Sequence, residues 1–288
     1  MTKLEKIEAI IREYQNGSDA DISAEDIIEG IDNVLTDDSE SYDCEEQPIP
    51  SNFIIEDGTL IAFQETITEI TIPDGVSHIG YCAFSGCESL QNIKLPEGLK
   101  TIGDSAFEDC TDLIKTTISD GLEYIGESAF AGCYNLKTIT LPDGLEHIGF
   151  EAFADCTNLQ KINIPESVNI IDSSAFDSCE NLESVTLPAS LEVLAPYAFA
   201  HCTRLESVKF SEGLKTIDQG VFSDCISLKS VNIPESVTSI RPEAFAGCKN
   251  LESVSIPQDC AVFITAFPRT CNVIRRNSEP QQSRGLNI

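Results

Sequence analysis

The hydrophobic positions of this chain repeat with a period of 23 residues. Phe, Cys and Leu recur in a fixed order, with Phe three residues before each Cys and Leu three residues after it. The cysteines of this pattern are Cys87, Cys110, Cys133, Cys156, Cys179, Cys202, Cys225 and Cys248. The phenylalanines are Phe84, Phe107, Phe130, Phe153, Phe176, Phe199, Phe222 and Phe245. The leucines are Leu90, Leu113, Leu136, Leu159, Leu182, Leu205, Leu228 and Leu251. Eight units without an insertion predict a solenoid, in which each coil buries its apolar side against its neighbours.

One repeat, residues 88–110, predicts the path of each coil. The alternation of Ile93 and Leu95 indicates a strand, and Pro96 ends it because proline cannot donate to a sheet. The spacing of Phe107 and Cys110 with the preceding Ala predicts one short helical turn on the opposite side. Equivalent strands should stack about 4.8 Å apart in one parallel sheet. We therefore expect each coil to contain a strand, a turn, a return leg and a helical turn.

The repeat motif LxxIxIPxx(V/L)xxIGxxAFxxC, over about residues 53–267, resembles the BspA-type leucine-rich repeat family. The resemblance implies an α/β solenoid that is curved, with one parallel sheet face and short helical turns on the other face. It also implies binding of other proteins, often at bacterial surfaces. The sequence departs from the commoner leucine-rich repeat at Gly98, Gly121 and Gly144, where an inward asparagine ladder would lie.

The sequence predicts three segments. Residues 1–50 contain 15 acidic and three basic residues and two amphipathic stripes, which predict a short α-helical segment. This segment either caps or accompanies the solenoid, or docks a partner. Residues 51–272 are the predicted solenoid, with an N-cap at 51–67, eight repeats at about 68–251 and a capping coil at about 252–272. Residues 273–288 are polar and are predicted to form a disordered tail.

Charge excludes some classes of function. The formal net charge of the 288-residue chain is -30, which disfavours nucleic acid and anionic membranes as partners. No apolar run is long enough for a membrane span, and the N-terminus does not resemble a signal peptide. We therefore expect a cytoplasmic protein with reduced thiols, and the alternative is surface display or secretion by a route without a recognisable signal.

No cysteine, acidic or histidine pattern predicts catalysis, a metal site or a cofactor. The repeated cysteines follow inward phenylalanines and are expected to pack as small apolar residues, with metal or redox chemistry as the minor alternative. Cys44, Cys82, Cys260 and Cys271 lack this pattern and are the better candidates for exposed thiols. One carboxylate per turn predicts a solvated acidic edge rather than a calcium site. That edge comprises Asp74, Glu97, Asp120, Asp143, Glu166, Glu212 and Glu235. His78, His147 and His201 are expected to be solvated.

The residues that flank each inward strand residue form the candidate binding face. None of the 16 residues at these positions is acidic, although the chain is strongly acidic. Strand propensity and repulsion between stacked carboxylates could produce this pattern, and so could selection for partner contact. The residues predicted to contact a partner are Asn92, Lys94, Lys115, Thr117, Thr138, Thr140, Lys161, Asn163, Ser184, Thr186, Ser207 and Lys209. Ser230, Asn232, Ser253 and Ser255 continue the face.

These patterns favour a non-catalytic, monomeric scaffold that binds an unidentified protein through the sheet face. The first alternative is an adhesion or host-interaction protein that binds extracellular protein or glycan. A β-helix enzyme acting on carbohydrates is disfavoured, because its site would need carboxylates clustered on one sheet face.

Overall fold

The computed structural model describes residues 53–63 and 67–276. All regular structure in these residues is β-strand, and most coils contain one strand of three residues and one of two. In chain order the strands are β1 (Phe53–Glu56), β2 (Thr59–Phe63), β3 (Glu69–Thr71), β4 (His78–Ile79), β5 (Asn92–Lys94), β6 (Thr101–Ile102), β7 (Lys115–Thr117), β8 (Tyr124–Ile125), β9 (Thr138–Thr140), β10 (His147–Ile148), β11 (Lys161–Asn163), β12 (Ile170–Ile171), β13 (Ser184–Thr186), β14 (Val193–Leu194), β15 (Ser207–Lys209), β16 (Thr216–Ile217), β17 (Ser230–Asn232), β18 (Ser239–Ile240), β19 (Ser253–Pro257), β20 (Ala261–Val262) and β21 (Asn272–Arg276).

The strands form two stacks on different legs of the coils. The odd-numbered strands from β3 to β21 form the first sheet, which is interrupted between β15 and β17. The second sheet contains β1 and all even-numbered strands, and it is interrupted between β12 and β14. Pairing is parallel throughout except in the β1–β2 hairpin. The prediction of a single sheet is therefore incomplete, because the return legs of the coils form a second sheet.

The third side of each coil is a turn segment and not a helix. In one such segment, Ser105 and Asp109 have φ values of +53° and +55°. The amides of Ser105 and Phe107 donate to the carbonyls of Glu127 and Ala129 in the next coil, at 2.7 and 2.8 Å. An α-helix uses such amides within its own turn and does not accommodate left-handed residues. The prediction of short helical turns is therefore wrong, and the fold is a β-solenoid rather than an α/β solenoid.

Left-handed backbone recurs at these two positions in every repeat. The first position has φ between +52° and +62° in Cys82, Ser105, Ser128, Glu151, Ser174, Tyr197, Gly220 and Glu243. The second has φ between +55° and +72° in Gly86, Asp109, Gly132, Asp155, Ser178, His201, Asp224 and Gly247. Glycine and aspartate tolerate this conformation better than most residues, and they supply six of the eight second positions. The predicted α-helical segment at residues 1–50 lies outside the described residues.

The core is a set of parallel columns. The repeated phenylalanines are almost completely buried, and the rings of Phe130 and Phe153 stack with centroids 5.2 Å apart and planes 2° apart. The stack continues to Phe267, whose ring lies 5.0 Å from that of Phe245 although the spacing in sequence is 22 residues. Each column therefore buries the face that a single coil would leave exposed.

Phe210 accompanies the interruption of the first sheet. It occupies a position that is Leu or Ile in the other coils, and its ring meets that of Phe222 edge-on at 5.9 Å. The centroids of Phe199 and Phe222 are 5.8 Å apart, compared with 5.0 Å between Phe176 and Phe199. The larger side chain thus coincides with a wider separation of two rings in the phenylalanine column, next to the point where β15 and β17 fail to pair.

The two ends of the described solenoid are closed differently. At the N-terminal end, β1 and β2 form a hairpin through Asp57 and Gly58, both with positive φ. At the C-terminal end, β21 pairs with β19 over five residues. The guanidinium of Arg276 donates to the carbonyl of Ile233 at 2.6 Å and pairs with Glu235. Because β21 runs to residue 276, the first four residues of the predicted tail are ordered as a strand. No helix in residues 53–63 and 67–276 could span a membrane.

Candidate functional site

The first-sheet face is built by three-residue strands that point their outer two side chains to solvent. In β9, Ile139 is 4% exposed and packs into the core, while Thr138 and Thr140 are exposed. This alternation follows from the period of two in an extended strand. The same arrangement holds in the strands from β5 to β17, so the predicted contact residues do share one face.

Strand register arranges these side chains in two rows. Lys115 lies opposite Thr138, which lies opposite Lys161 on the next strand. In the other row, Lys94 lies opposite Thr117. Along the first row the order is Asn92, Lys115, Thr138, Lys161, Ser184 and Ser207, and Ser230 is paired with Ser253 beyond the interruption. The second row contains Lys94, Thr117, Thr140, Asn163, Thr186, Lys209, Asn232 and Ser255. Asn92 and Ser255 are half-buried, and the remaining residues are exposed.

The face is electrostatically distinct from its borders. None of Lys94, Lys115, Lys161 and Lys209 forms an ion pair with another residue of the described ranges. On one border, the residue before each strand is Glu183, Glu206 or Glu252 in three of the coils. On the other border lies the acidic turn column, whose members are all exposed. Carboxylates thus line the turn-side border, whereas the other border also contains residues that are not acidic, namely Gln91, Ile114, Lys137, Gln160 and Lys229.

The acidic border has structural contacts but forms no metal cluster. Glu166 accepts a hydrogen bond from the amide of Ala189 at 2.8 Å, and Glu235 pairs with Arg276. Among the described residues, no group of three or more Cys, His, Asp or Glu side chains could hold a metal ion.

The histidines have partners in neighbouring coils. His147 Nε2 lies 2.7 Å from Asp172 Oδ2, and His201 Nδ1 lies 2.7 Å from Asp177 Oδ1. His78 Nδ1 lies 2.7 Å from the hydroxyl of Thr101. These contacts tie one coil to the next, which periodicity alone did not predict.

The repeated cysteines do more than fill space. The Sγ of Cys110 donates to the carbonyl of Phe84 at 3.1 Å, and the equivalent contact, 26 residues apart, recurs in every coil to Cys248. Burial raises the pKa of the Cys248 thiol to about 12 and also raises the pKa of Cys156. These thiols are therefore protonated donors with little thiolate character.

The remaining cysteines are not equally accessible. Cys82 and Cys271 are partly exposed, but Cys260 is only 3% exposed and does not fit the prediction of an exposed thiol. Cys87, the first of the repeated cysteines, is also partly exposed. Cys44 lies outside the described residues.

The sequence interpretation missed an asparagine ladder. The side-chain amide of Asn158 donates to the carbonyl of Tyr134 at 2.9 Å and to Asn135 Oδ1 at 3.5 Å. Asn181 donates to Asn158 Oδ1 at 3.4 Å, and Arg204 donates to Asn181 Oδ1 at 3.1 Å. The three asparagines are 23 residues apart, so the signal was visible in the sequence, although not at the position marked by Gly98, Gly121 and Gly144.

Comparison with known proteins identifies the repeat. The family model described as the BspA type leucine rich repeat region matches residues 61–183 and 169–276, with six copies. The chain belongs to this family. The resemblance predicted from the motif is therefore confirmed.

Two solved structures show similar bacterial repeat proteins. A leucine-rich repeat protein from Bacteroides ovatus is 34% identical, with coverage of 81% of this chain and 72% of that chain and a TM-score of 0.65. A T. pallidum leucine-rich repeat protein is 28% identical, with coverage of 71% and 91% and a TM-score of 0.53. Among curated protein sequences, none matches this chain. The family and these neighbours support a repeat scaffold and name no partner.

Proposed function

We propose that this chain is a non-catalytic scaffold that binds a protein partner through the first-sheet face. The observation that carries the proposal is the composition of that face from β5 to β19, where 16 outward positions include four lysines and no carboxylate in a chain of net charge -30. Glu69 on β3, which accepts a hydrogen bond from Asn92, is the carboxylate at the N-terminal end of the same row. Short side chains on a stack of paired strands would let a partner approach a broad surface with little ordering cost. The lysines would then pair with acidic groups of the partner.

Charge reversal of two register neighbours tests this proposal. Lys115 and Lys161 lie on either side of Thr138, so the variant Lys115→Glu with Lys161→Glu places two carboxylates at the centre of the face. The matched control is Lys215→Glu with Lys249→Glu, which makes the same charge change at exposed sites on other sides of the coils. Proteins captured from native lysate by the wild-type chain would be identified by mass spectrometry and their affinities measured with purified components.

We expect the face variant to weaken partner binding roughly tenfold or more, and the control to change it little. Circular dichroism would check that both variants keep the fold. Equal loss in both variants would show attraction by net charge, and unchanged binding in both would place recognition elsewhere. The experiment tests two of the predicted contact residues, Lys115 and Lys161, while the cytoplasmic location and the monomeric state stay predictions.

A further inference from the structure

The outer surface of the second sheet carries an apolar stripe that differs from the first-sheet face. Tyr124 lies opposite His147, and His147 lies opposite Ile170. Val193 occupies the same position in the following coil. Ile170 and Val193 are 44% and 46% exposed, although the equivalent residues Thr101 and Thr216 are polar. We call Tyr124, His147, Ile170 and Val193 the second-sheet stripe.

The second sheet is interrupted within this stripe, between Ile170 and Val193. At the next coil boundary, the amide of Lys215 donates to the carbonyl of Glu192 at 2.7 Å, and the amide of Asp218 donates to the carbonyl of Leu194 at 3.0 Å. At the boundary before it, the corresponding bonds from Glu192 to Asn169 and from Ala195 to Ile171 are not formed. In the described part of the chain, the amides of Glu192 and Ala195 therefore have no backbone acceptor.

A cavity marks this opening. It has a volume of about 460 Å³ and is lined by Asn169, Ile170, Ile171, Asp172, Ser190, Glu192, Val193 and Ala195. The opening offers backbone amides and carbonyls next to two exposed aliphatic side chains. Both kinds of group are complementary to an extended peptide, which supplies its own amides and carbonyls along with apolar side chains.

Carboxylates outnumber lysines around the stripe, where Lys100 is paired with Glu123 and Lys215 lies in the adjacent coil. Glu146 and Glu192 are exposed and immediately precede His147 and Val193, and Asp172 lines the cavity. Burial, followed by the carboxylates of Asp104, Asp172 and Glu127, raises the pKa of the Tyr124 hydroxyl. A cationic ligand is therefore favoured at this surface. A second copy of the chain is a poor fit, because it carries the same net charge of -30.

We propose that the second-sheet stripe binds an extended segment of a partner protein in which apolar residues alternate with Lys or Arg. The segment crosses the strands, its apolar side chains pack on Ile170 and Val193, and one of its backbone carbonyls accepts a hydrogen bond from an amide at the opening. Its long cationic side chains reach back toward the carboxylates of Glu146, Asp172 and Glu192. Four stacked strands span about 14 Å, which corresponds to about four or five extended residues. The surface is distinct from the first-sheet face and does not depend on the function proposed for that face.

A synthetic peptide tests the proposal with the full chain. The probe is a fluorescein-labelled, end-blocked hexapeptide, Val-Lys-Leu-Lys-Val-Lys, and its dissociation constant is measured by fluorescence anisotropy at physiological ionic strength. A Ser-Lys-Ser-Lys-Ser-Lys peptide measures the contribution of charge alone. The first variant is Ile170→Thr with Val193→Thr, which installs the residue found naturally at Thr101 and Thr216 in the same row.

The second variant is Glu192→Lys, which installs the residue found at the equivalent Lys215. Its control is Glu252→Lys, the same charge change at an exposed residue before β19, where Lys229 is the natural equivalent. We expect each stripe variant to weaken binding of the Val-Lys-Leu peptide about tenfold, and the control to change it about twofold at most. The Ser-Lys peptide should bind about as weakly to the wild type as the Val-Lys-Leu peptide binds to the threonine variant.

Four results would overturn the proposal. If Glu252→Lys weakened binding as much as Glu192→Lys, the attraction would be due to net charge. If the threonine variant bound like the wild type, or if the Val-Lys-Leu peptide did not bind below about 1 mM, the stripe would not be a peptide site. If size-exclusion chromatography showed an oligomer of the wild type that the threonine variant lost, the stripe would be an interface between copies of this chain.

Discussion

Replacement of Thr116 by valine should stabilise the solenoid. Thr116 is the middle residue of β7 and is 4% exposed, and its hydroxyl is buried without a hydrogen-bond partner among the described residues. Its register neighbours are Ile93 and Ile139, and every other equivalent position is Ile or Val. The hydroxyl is thus an isolated polar group in an apolar column.

The magnitude follows from the cost of that hydroxyl. An unsatisfied buried hydroxyl costs about 1–3 kcal/mol, and valine replaces it with a methyl group of similar size, so no cavity forms. We expect Thr116→Val to raise the free energy of unfolding by about 1–2 kcal/mol. For a chain of this size, this corresponds to a rise in Tm of roughly 2–8 °C.

Urea denaturation followed by far-UV circular dichroism is the suitable assay, because the chain contains no tryptophan. The matched control is Thr140→Val, in which the side chain is exposed on the neighbouring strand and the change should stay within about 0.5 kcal/mol. Thr116→Ser, which keeps the hydroxyl and removes a methyl group, should be destabilising. The reasoning is refuted if Thr116→Val is no more stable than the wild type, since the hydroxyl would then have a stabilising partner such as a buried water.

Two further predictions concern the cysteine column and the asparagine ladder. Burial raises the pKa of Cys156 and the other column thiols above the value of about 8.5 in the unfolded state. Only the unfolded state therefore loses these protons between pH 8 and 10. Above pH 8.5, each thiol should lower the free energy of unfolding by about 1.4 kcal/mol per pH unit. Urea midpoints measured with reductant at pH 8, 9 and 10 should fall, with a smaller slope in Cys156→Ala, and a midpoint that stays constant would contradict the burial argument. Asn158→Ala should cost about 1 kcal/mol, because it removes three inter-coil hydrogen bonds, whereas Asn250→Ala, at an equivalent exposed position, should cost less than about 0.5 kcal/mol. Equal urea midpoints for these two variants would show that the ladder does not contribute to stability.

The repeat period predicted the columns because packing requires the same side chain in the same place. Phe107 and Cys110 are buried as expected, since each must fit against its copy one coil away. The hydrogen bond from Cys110 to the carbonyl of Phe84 was not predictable from composition, because small apolar packing and a donor role favour the same residue.

The helical turn was mispredicted because spacing does not specify the sign of φ. Apolar residues at i, i+1 and i+4 can share a face in a helical turn and also in a turn with two left-handed residues. The distinguishing signal was the residue before Cys, which is Asp109, Gly132 and Asp155 in successive coils. Such residues favour positive φ and are poor choices for a buried helical turn. The second sheet was missed for a related reason, since strands of two residues are too short to show an alternation.

In a repeat protein, positions at which the residue type changes from coil to coil are the best places to search for function. Packing fixes the inward columns, so a residue that changes from coil to coil there, such as Phe210, has a structural consequence that can be measured. Outward positions are not fixed by packing, and in them the two sheets differ. The first-sheet face avoids carboxylates around Lys115 and Lys161, whereas the second sheet exposes Ile170 and Val193 beside acidic residues. One repeating coil therefore presents two chemically opposite surfaces, and variants made on one face serve as controls for binding at the other.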